Sequence, residues 1–172
     1  CADVKSQIVG AVALAVDVTP ERTSGVLAAG GLRKDKLVHG EVIDVLDVSA
    51  LYARTVEVYR RQKAVAVVVD PASPAGSLIP SFEAAGLNVV LISGREYAQA
   101  CGALYDLVIS GGLRHIDQAS LNAAVGGATK RTIGDAWGWN RKHPSINIAP
   151  LVAVTLAAWF AREPVDPMSN IW

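Results

Sequence analysis

The sequence predicts an α/β domain in which a mixed β-sheet carries helices on both faces. Apolar runs rich in Val and Ala are bounded by turn residues, which is typical of buried strands. The first three such segments are separated only by short turns, whereas the later ones alternate with helical segments. This order indicates an antiparallel meander joined to βα units in one layered domain.

The meander occupies the N-terminal part of the chain. Residues 8–18 are almost continuously apolar and are expected to form a central strand. The turn sequence TPERTSG follows, and residues 25–32 and 36–45 are expected as the second and third strands. Three strands with such short connections favour antiparallel pairing.

The remaining elements alternate between helix and strand. Asp47 and Ser49 are suitable N-caps for a first helix. We expect helices at residues 50–62, 76–85, 96–105, 116–125 and 148–162, strands at 64–69 and 87–92, a short apolar piece at 107–109, and an extended ribbon at 129–142. No repeat or linker interrupts this pattern, which predicts one domain.

Composition bounds the class of protein. The 172 residues are 51% hydrophobic and 19% charged, with a formal net charge of zero, which is typical of a folded domain with a real core. A neutral chain can still carry a local basic patch for phosphate. Cys1 and Cys101 do not form a disulfide framework, which favours a reducing cytoplasm. The most apolar run, residues 148–160, is too short to span a bilayer, so no membrane association is expected.

Two carboxylates close apolar strands. Asp17 ends the first strand, and Asp70 follows AVAVVV. Each alone is better explained as a turn residue or a helix cap. If the two strands are neighbours, however, both carboxylates lie at one edge of the sheet, and hard oxygen ligands suit Mg²⁺ or Mn²⁺. Two such ions can clamp the attacking and leaving oxygens of a phosphodiester, so the pair predicts a metal-dependent nuclease or a related phosphoryl-transfer site.

A third acid is not found where such a site would need it. Downstream candidates are Glu96, Asp106, Asp117 and Asp135, but none lies at the start of the long last helix. Asn147 is found there instead. Asn is among the best N-cap residues, so a structural role for Asn147 is the simpler interpretation of the sequence alone.

The element order is that of the ribonuclease-H-like fold, and four stretches carry a more specific resemblance. They are AVDVTPERTSG, VVVDPASPAGSLIPSFEAAGLNVV, SGREYAQACGALYDLV and GDAWGWNRKHPSINIAPLVAVTLAAW. Together they resemble the C-terminal nuclease domain of the phage terminase large subunit, in the form found in tailed phages and prophages of actinobacteria. The resemblance implies a ribonuclease-H-like fold and cleavage of double-stranded DNA during genome packaging, with two Mg²⁺ or Mn²⁺ ions as cofactors.

The same resemblance implies a cellular context. Residues 1–172 are expected to be a single nuclease domain cut from a longer protein that has an N-terminal ATPase domain. No Walker-type glycine-rich loop occurs in this chain, so ATP hydrolysis is not expected of it. The expected partners are double-stranded DNA and, in the full-length protein, the portal and the small terminase subunit, in the cytoplasm of the bacterial host.

The resemblance also assigns residues. Asp17 matches the acid of the first strand and Asp70 the acid of the later strand. The third acid of the family is followed by an aliphatic residue, a small residue and Pro, Leu, Val, Ala; here the stretch reads NIAPLVA, so Asn147 takes the place of the acid. The site then has two negative charges instead of three, which predicts weaker metal binding, unless Asp135 substitutes.

Basic residues cluster in the C-terminal half of the chain and are candidates for contact with the DNA backbone. They are Arg114, Lys130, Arg131, Arg141 and Lys142, accompanied by His115 and His143. Trp137 and Trp139 lie among them and either contact DNA or pack one face of the ribbon on the core. His115 is either a metal ligand or base, or an ordinary surface residue, and Arg95 either supports the site or belongs to an exposed first helical turn.

Two other functions remain open from the sequence. A domain with this fold whose chemistry is lost at Asn147 would bind DNA or packaging partners without cutting. A junction-resolvase-like nuclease would share the fold and prefer branched DNA.

Overall fold

The structure is a computed structural model and describes residues 1–142 and 146–162. The elements in chain order are β1 (Val12–Val18), β2 (Gly25–Leu32), β3 (Val38–Leu46), α1 (Val48–Gln62), β4 (Ala66–Val69), a 3₁₀ turn (Pro74–Leu78), α2 (Ile79–Ala84), β5 (Val89–Leu91), α3 (Gly94–Ser110), β6 (Leu113–Arg114), α4 (Ala119–Gly127), β7 (Lys130–Ile133), β8 (Ala136–Trp139) and α5 (Ala149–Ala161).

The first six strands form one mixed sheet in the order β5-β4-β1-β2-β3-β6. β1, β2 and β3 are an antiparallel meander, as their short turns predict. β4 pairs in parallel with β1, β5 with β4, and β6 with β3. Helices cover both faces, so the predicted α/β fold with a ribonuclease-H-like mixed sheet is confirmed.

Each face of the sheet has its own apolar core. One face packs against α1 and α2 around Leu51 and Phe82. The other packs against α3, α4 and α5, with α5 buried along nearly its whole length. Because side chains alternate across a strand, a central strand such as β1 supplies both cores, which is why it is apolar almost throughout.

Helix α5 lies unusually close to the meander. A Cβ atom built on Gly30 of β2 would approach the backbone carbonyl carbon and oxygen of Ala157 to 2.6 Å. Glycine at this position lets the α5 backbone come down onto the strand. The C-terminal part of α5 is thereby held against the part of β2 that pairs with the start of β1.

Several element boundaries differ from the sequence-based expectation. The first strand begins at Val12, not at residue 8, because Gly10 adopts a φ of +103° that interrupts extended backbone. The third helix continues to Ser110 and includes the apolar piece at residues 107–109; it ends where Gly111 takes a left-handed φ of 73°. The two-residue strand β6 was not expected.

The expected ribbon at residues 129–142 is a β-hairpin made of β7 and β8. Its turn uses Gly134, with a φ of +57°. Trp139 is buried on the core side, with its indole Nε1 donating a hydrogen bond to Thr155 Oγ1 of α5 at 3.0 Å. Among the described residues, no helix combines the length and apolar character that crossing a bilayer requires.

Candidate metal and nucleic-acid site

Asp17 and Asp70 lie side by side at the carboxyl-terminal edge of the sheet. β1 and β4 pair in parallel, with Ala15 in register with Val68. Asp17 lies two residues after Ala15, and Asp70 lies two residues after Val68. Both are almost completely buried, Asp17 at 1% exposure and Asp70 at 3%. The expectation that the two strands are neighbours is confirmed, and it places both carboxylates at one edge of the sheet.

The loop after β4 holds Asp70 in a defined orientation. Asp70 Oδ1 accepts a hydrogen bond from Ala72 N at 2.9 Å. Ser73 Oγ donates to the backbone oxygen of Asp70 at 2.8 Å and accepts from Ala75 N at 3.2 Å, so it also caps the 3₁₀ turn. One oxygen of Asp70 is therefore used by its own loop, and Oδ2 faces the site.

Arg141 joins the two carboxylates. Its Nη2 donates to Asp70 Oδ2 at 2.9 Å, and its Nε lies 3.4 Å from Asp17 Oδ1. The Arg141 side chain is only 12% exposed. A buried guanidinium between two buried carboxylates offsets much of the repulsion that they would otherwise exert on each other.

The hairpin and Tyr97 of α3 hold Arg141 beside the two carboxylates. The Arg141 guanidinium carbon lies 4.4 Å from the centroid of the Tyr97 ring, a cation–π arrangement. Tyr97 is itself buried, and its hydroxyl donates to the backbone oxygen of Trp139 at 3.0 Å. Asn140 N donates to Thr129 O at 2.8 Å, which closes the base of the hairpin beside Arg141.

Asp17 is the electrostatically unusual member of the site. Burial raises the pKa of its carboxyl to about 7; the Arg141 guanidinium opposes this rise, and the neighbouring Asp70 carboxylate adds to it. Asp17 Oδ1 is buried and makes no hydrogen bond within the described residues. An anionic oxygen in such a position is suited to a cation.

Asn147 lies on the same cleft as Asp17. The cleft has a volume of about 220 Å³, and its walls include Asp17, Arg141 and Asn147. Asn147 Oδ1 accepts a hydrogen bond from Ala149 N at 2.9 Å, and Nδ2 lies 3.4 Å from Ser24 Oγ. The N-cap of α5 is Ile148, so Asn147 is not the N-cap that its residue type predicts. Its side chain instead accepts from the amide of Ala149, the first residue of α5, and it lines the same cleft as Asp17.

The turn between β1 and β2 contributes residues that the sequence did not single out. Glu21 lines the same cleft. Arg22, which has a φ of 58°, donates to Pro74 O at 2.8 Å and to Ser77 Oγ at 3.1 Å. This contact ties the turn after Asp17 to the loop after Asp70. Nothing in the sequence TPERTSG signals such a long-range link.

The structure separates the other sequence candidates. Arg114 lies on β6 at the opposite edge strand, pairing in register with His39, and it donates to the backbone oxygens of Gly111 and Leu113. His115 follows it, and its Nδ1 accepts from Asp117 N at 3.2 Å. The register of the meander puts His39 at the level of Gly31 and Val12, the far end of β1 from Asp17. Arg114 and His115 are therefore not brought to the cleft.

The remaining candidates lie on the hairpin or at helix ends. Asp135 is exposed in the hairpin turn. Lys130 lies over the Trp137 ring at 4.1 Å and over the Tyr105 ring at 4.5 Å, and Arg131 is exposed on the same strand. Arg95 is exposed in the first turn of α3, and Lys142 is exposed next to Arg141. His143 lies outside the described residues.

The donor set fits a hard divalent cation. Asp17 and Asp70 supply carboxylate oxygens, Asn147 supplies an amide oxygen, and the buried Asp17 Oδ1 lacks a hydrogen-bond partner. Within residues 1–142 and 146–162, no three His, Cys, Asp or Glu side chains are grouped so as to hold a metal ion. Among the described residues, a metal here would therefore rely on Asp17 and Asp70 as its carboxylate ligands.

Comparison with solved structures defines the class of fold. No protein-family model matches the chain, and no curated protein matches it in sequence. The HK97 bacteriophage large terminase is similar in structure, with a TM-score of 0.69 and 15% identity over 88% of this chain; the match spans 39% of the terminase. The chain thus has the ribonuclease-H-like fold that terminase nuclease domains adopt.

Isolated nuclease domains agree with this comparison. The large terminase nuclease from thermophilic phage G20c with bound magnesium matches with a TM-score of 0.65 and 13% identity, over 87% of this chain and 80% of that one. A mutant nuclease domain of the large terminase subunit of bacterial virus Sf6 with manganese matches with a TM-score of 0.61 and 14% identity, over 90% of each chain. At these identities the likeness establishes the fold.

Proposed function

We propose that this chain is a divalent-metal-dependent DNA endonuclease domain of the terminase type. The observation that carries the proposal is the pair of buried carboxylates, Asp17 and Asp70, at the ends of adjacent parallel strands. Two carboxylates are seldom buried together for a purely structural or binding role, because each loses its hydration and repels the other. The likeness to nuclease domains crystallised with magnesium and manganese supports this interpretation.

In this proposal, Asp17 and Asp70 hold Mg²⁺ or Mn²⁺, with Asn147 at the third position. The bound metal would supply the activation of water and the neutralisation of charge on the phosphate that phosphodiester hydrolysis needs. The protein residues fix where this happens: Ala72 N orients Asp70, and Arg141 keeps the two carboxylates together. The cleft beside Asp17 gives a phosphate access from solvent.

The proposed substrate is double-stranded phage DNA, cut during packaging in the cytoplasm of the host. Arg131 on β7 and Lys142 next to Arg141 are exposed basic residues, and in this proposal they follow the DNA backbone. In a full-length terminase, the portal and the small subunit would be the partners. Cleavage of an isolated domain is expected to be weak, because a terminase cuts where the assembled motor places it.

The test is plasmid nicking in the presence of Mn²⁺ or Mg²⁺. Asp17→Asn and Asp70→Asn should abolish nicking while leaving the fold intact by circular dichroism. Asp106→Asn is the matched control, because Asp106 is an exposed aspartate on α3. Nicking that survives in both Asp17→Asn and Asp70→Asn would refute the proposal.

A second candidate function is DNA or packaging-partner binding without cleavage. Asn147 and Arg141 favour it, because one lacks the charge of an acid and the other already neutralises part of the site. Electrophoretic mobility shifts of linear duplex, with no nicking at any Mn²⁺ concentration and no gain in Asn147→Asp, would select this function.

A further inference from the structure

We propose that Arg141 acts as a built-in cation that takes the place of one metal ion, so that this site binds a single divalent ion instead of two. The inference rests on the proposed function, since it concerns the same carboxylates. It replaces the two-ion expectation with a mixed site: one exchangeable metal ion and one fixed guanidinium. Arg141 is in this sense a positioning and charge-neutralising residue.

The first argument is geometric. Arg141 Nη2 bonds to Asp70 Oδ2 at 2.9 Å, and Nε lies 3.4 Å from Asp17 Oδ1. A cation bridging two carboxylates is the arrangement that a shared metal ion would otherwise provide. Asp70 has its other oxygen committed to Ala72 N. Each oxygen of Asp70 therefore already has one protein partner.

The second argument is that Arg141 is held in place. Its side chain is 12% exposed and lies against the Tyr97 ring. Tyr97 is bonded to Trp139 O, and the Trp139 indole is bonded to Thr155 of α5. Swinging the guanidinium out would give up the cation–π contact and the Asp70 hydrogen bond together. Anchoring on both sides distinguishes Arg141 from an exposed arginine that changes rotamer freely.

The third argument is charge balance. With Asn147 neutral, Asp17 and Asp70 carry two negative charges when ionised, and Arg141 cancels one of them. One divalent ion would leave the buried site with a single excess positive charge, which a DNA phosphate can match. Two divalent ions would leave three excess positive charges, which have a large electrostatic cost in a buried site.

The fourth argument locates the remaining cation position. Asp17 Oδ1 is buried without a hydrogen bond, although Arg141 Nε is 3.4 Å away and is likewise without one. Asp17 and Asn147 line the same cleft. The open coordination capacity of the site is thus on the Asp17 side, where Arg141 makes an ion pair but no hydrogen bond.

The experiment counts Mn²⁺ ions by electron paramagnetic resonance on the whole chain, without DNA. The unmodified chain should bind one ion and give no spectrum of two coupled Mn²⁺ ions. The double variant Arg141→Gln/Asn147→Asp should bind two and give the coupled spectrum. Arg61→Ala is the control for loss of an arginine, because Arg61 is exposed on α1 and should leave the count at one.

The outcomes separate the inference from the proposed function. Two coupled ions on the unmodified chain would overturn the role of Arg141 and leave the nuclease proposal standing. One ion on the double variant would also overturn it, since removing Arg141 would then have opened no position. No bound Mn²⁺ on the unmodified chain at millimolar metal would overturn both.

A second measurement keeps the inference testable if the double variant does not fold. In arginine-¹⁵N-labelled protein, the Arg141 Nε–H signal should remain protected from exchange with water when the site is saturated with Mg²⁺. Arg61 supplies the unprotected reference. Loss of that protection on adding Mg²⁺ would mean that the metal displaces the guanidinium, and would refute the inference.

Discussion

The indole Nε1 of Trp139 donates a hydrogen bond to Thr155 Oγ1, 3.0 Å away, and so ties the end of the hairpin to helix α5. Trp139→Phe removes this bond and part of a buried ring. It should lower the free energy of unfolding by about 1–3 kcal/mol. Urea unfolding measures the change.

The control for this prediction is Trp137→Phe, which removes an indole from the same strand and keeps the Trp139 bond. Trp137 is half-buried and lies edge-on to Trp139, with ring centroids 4.9 Å apart. If Trp137→Phe lowered the free energy of unfolding as much as Trp139→Phe, the hydrogen bond to Thr155 would not be what anchors the hairpin.

Asn147→Asp should increase Mn²⁺-dependent plasmid nicking by at least about tenfold, which corresponds to about 1.4 kcal/mol of added attraction for the cation. Asp can still accept the Ala149 amide, so the start of α5 should keep its structure. Asn140→Asp is a charge-matched control, because Asn140 Oδ1 likewise accepts an amide two residues on, from Lys142 N. An equal increase in plasmid nicking in both variants would count against a specific role for residue 147.

The stability of the metal-free protein should depend on pH through Asp17. The pKa of Asp17 is about 7 in the folded chain and 3.8 ordinarily, so the folded state binds more protons between these values. The free energy of unfolding should therefore fall as pH rises through this window, by up to about 1.4 kcal/mol per pH unit from this group.

Asp17→Asn isolates that contribution, because an amide does not titrate. Urea unfolding in the presence of a chelator, at several pH values across the window, should give a flatter dependence for the variant than for the unmodified chain. If the free energy of unfolding depended on pH in the same way for both proteins, the raised pKa would not belong to Asp17.

Glycine substitutions should separate close packing from backbone entropy. Gly30→Ala places a methyl group against the Ala157 backbone and should destabilise the fold by about 1–3 kcal/mol. Gly102→Ala, on α3 with open space around it, should stabilise the fold by about 0.5–1 kcal/mol. Thermal unfolding of both variants checks the opposite signs, and a neutral Gly30→Ala would mean that α5 can move away.

DNA affinity should depend on the hairpin side of the molecule. Arg131→Ala should reduce the slope of log K against log salt by about 0.9 if the residue contacts one phosphate. Arg114→Ala should change the slope less, because Arg114 is bonded to Gly111 and Leu113 and lies at the far edge of the sheet. Fluorescence anisotropy with a duplex, at several salt concentrations, distinguishes the two; the reverse ranking would move the DNA path to β6.

The sequence predicts the two carboxylates of the site because the signals for them are local along the chain. Asp17 and Asp70 each end an apolar strand, and both strand assignments need only short-range patterns. The contact of Asn147 with the start of α5 is also local, because its side chain accepts from Ala149 N two residues on, although the N-cap itself is Ile148. These features follow from residue type and position along the chain.

The sequence does not predict the role of Arg141, because that role arises from packing between distant segments. In the sequence, Arg141 is one of several basic residues in a predicted ribbon. In the structure it bonds to the carboxylate of Asp70, which is 71 residues away along the chain. The link from Arg22 to Pro74 and Ser77 is equally non-local. The strand β6 is missed for another reason: two residues are too few to produce a periodic pattern.

The late position of α5 in the chain has a consequence for synthesis on the ribosome. Helix α5 supplies much of the core on one face of the sheet, and Arg141 precedes it by only a few residues. Until both emerge, the nascent chain carries a sheet with one face covered only in part, by α3 and α4, and two carboxylates without their guanidinium. The growing chain therefore completes its core and neutralises its charges in the same late step, and premature termination before that step leaves an aggregation-prone product.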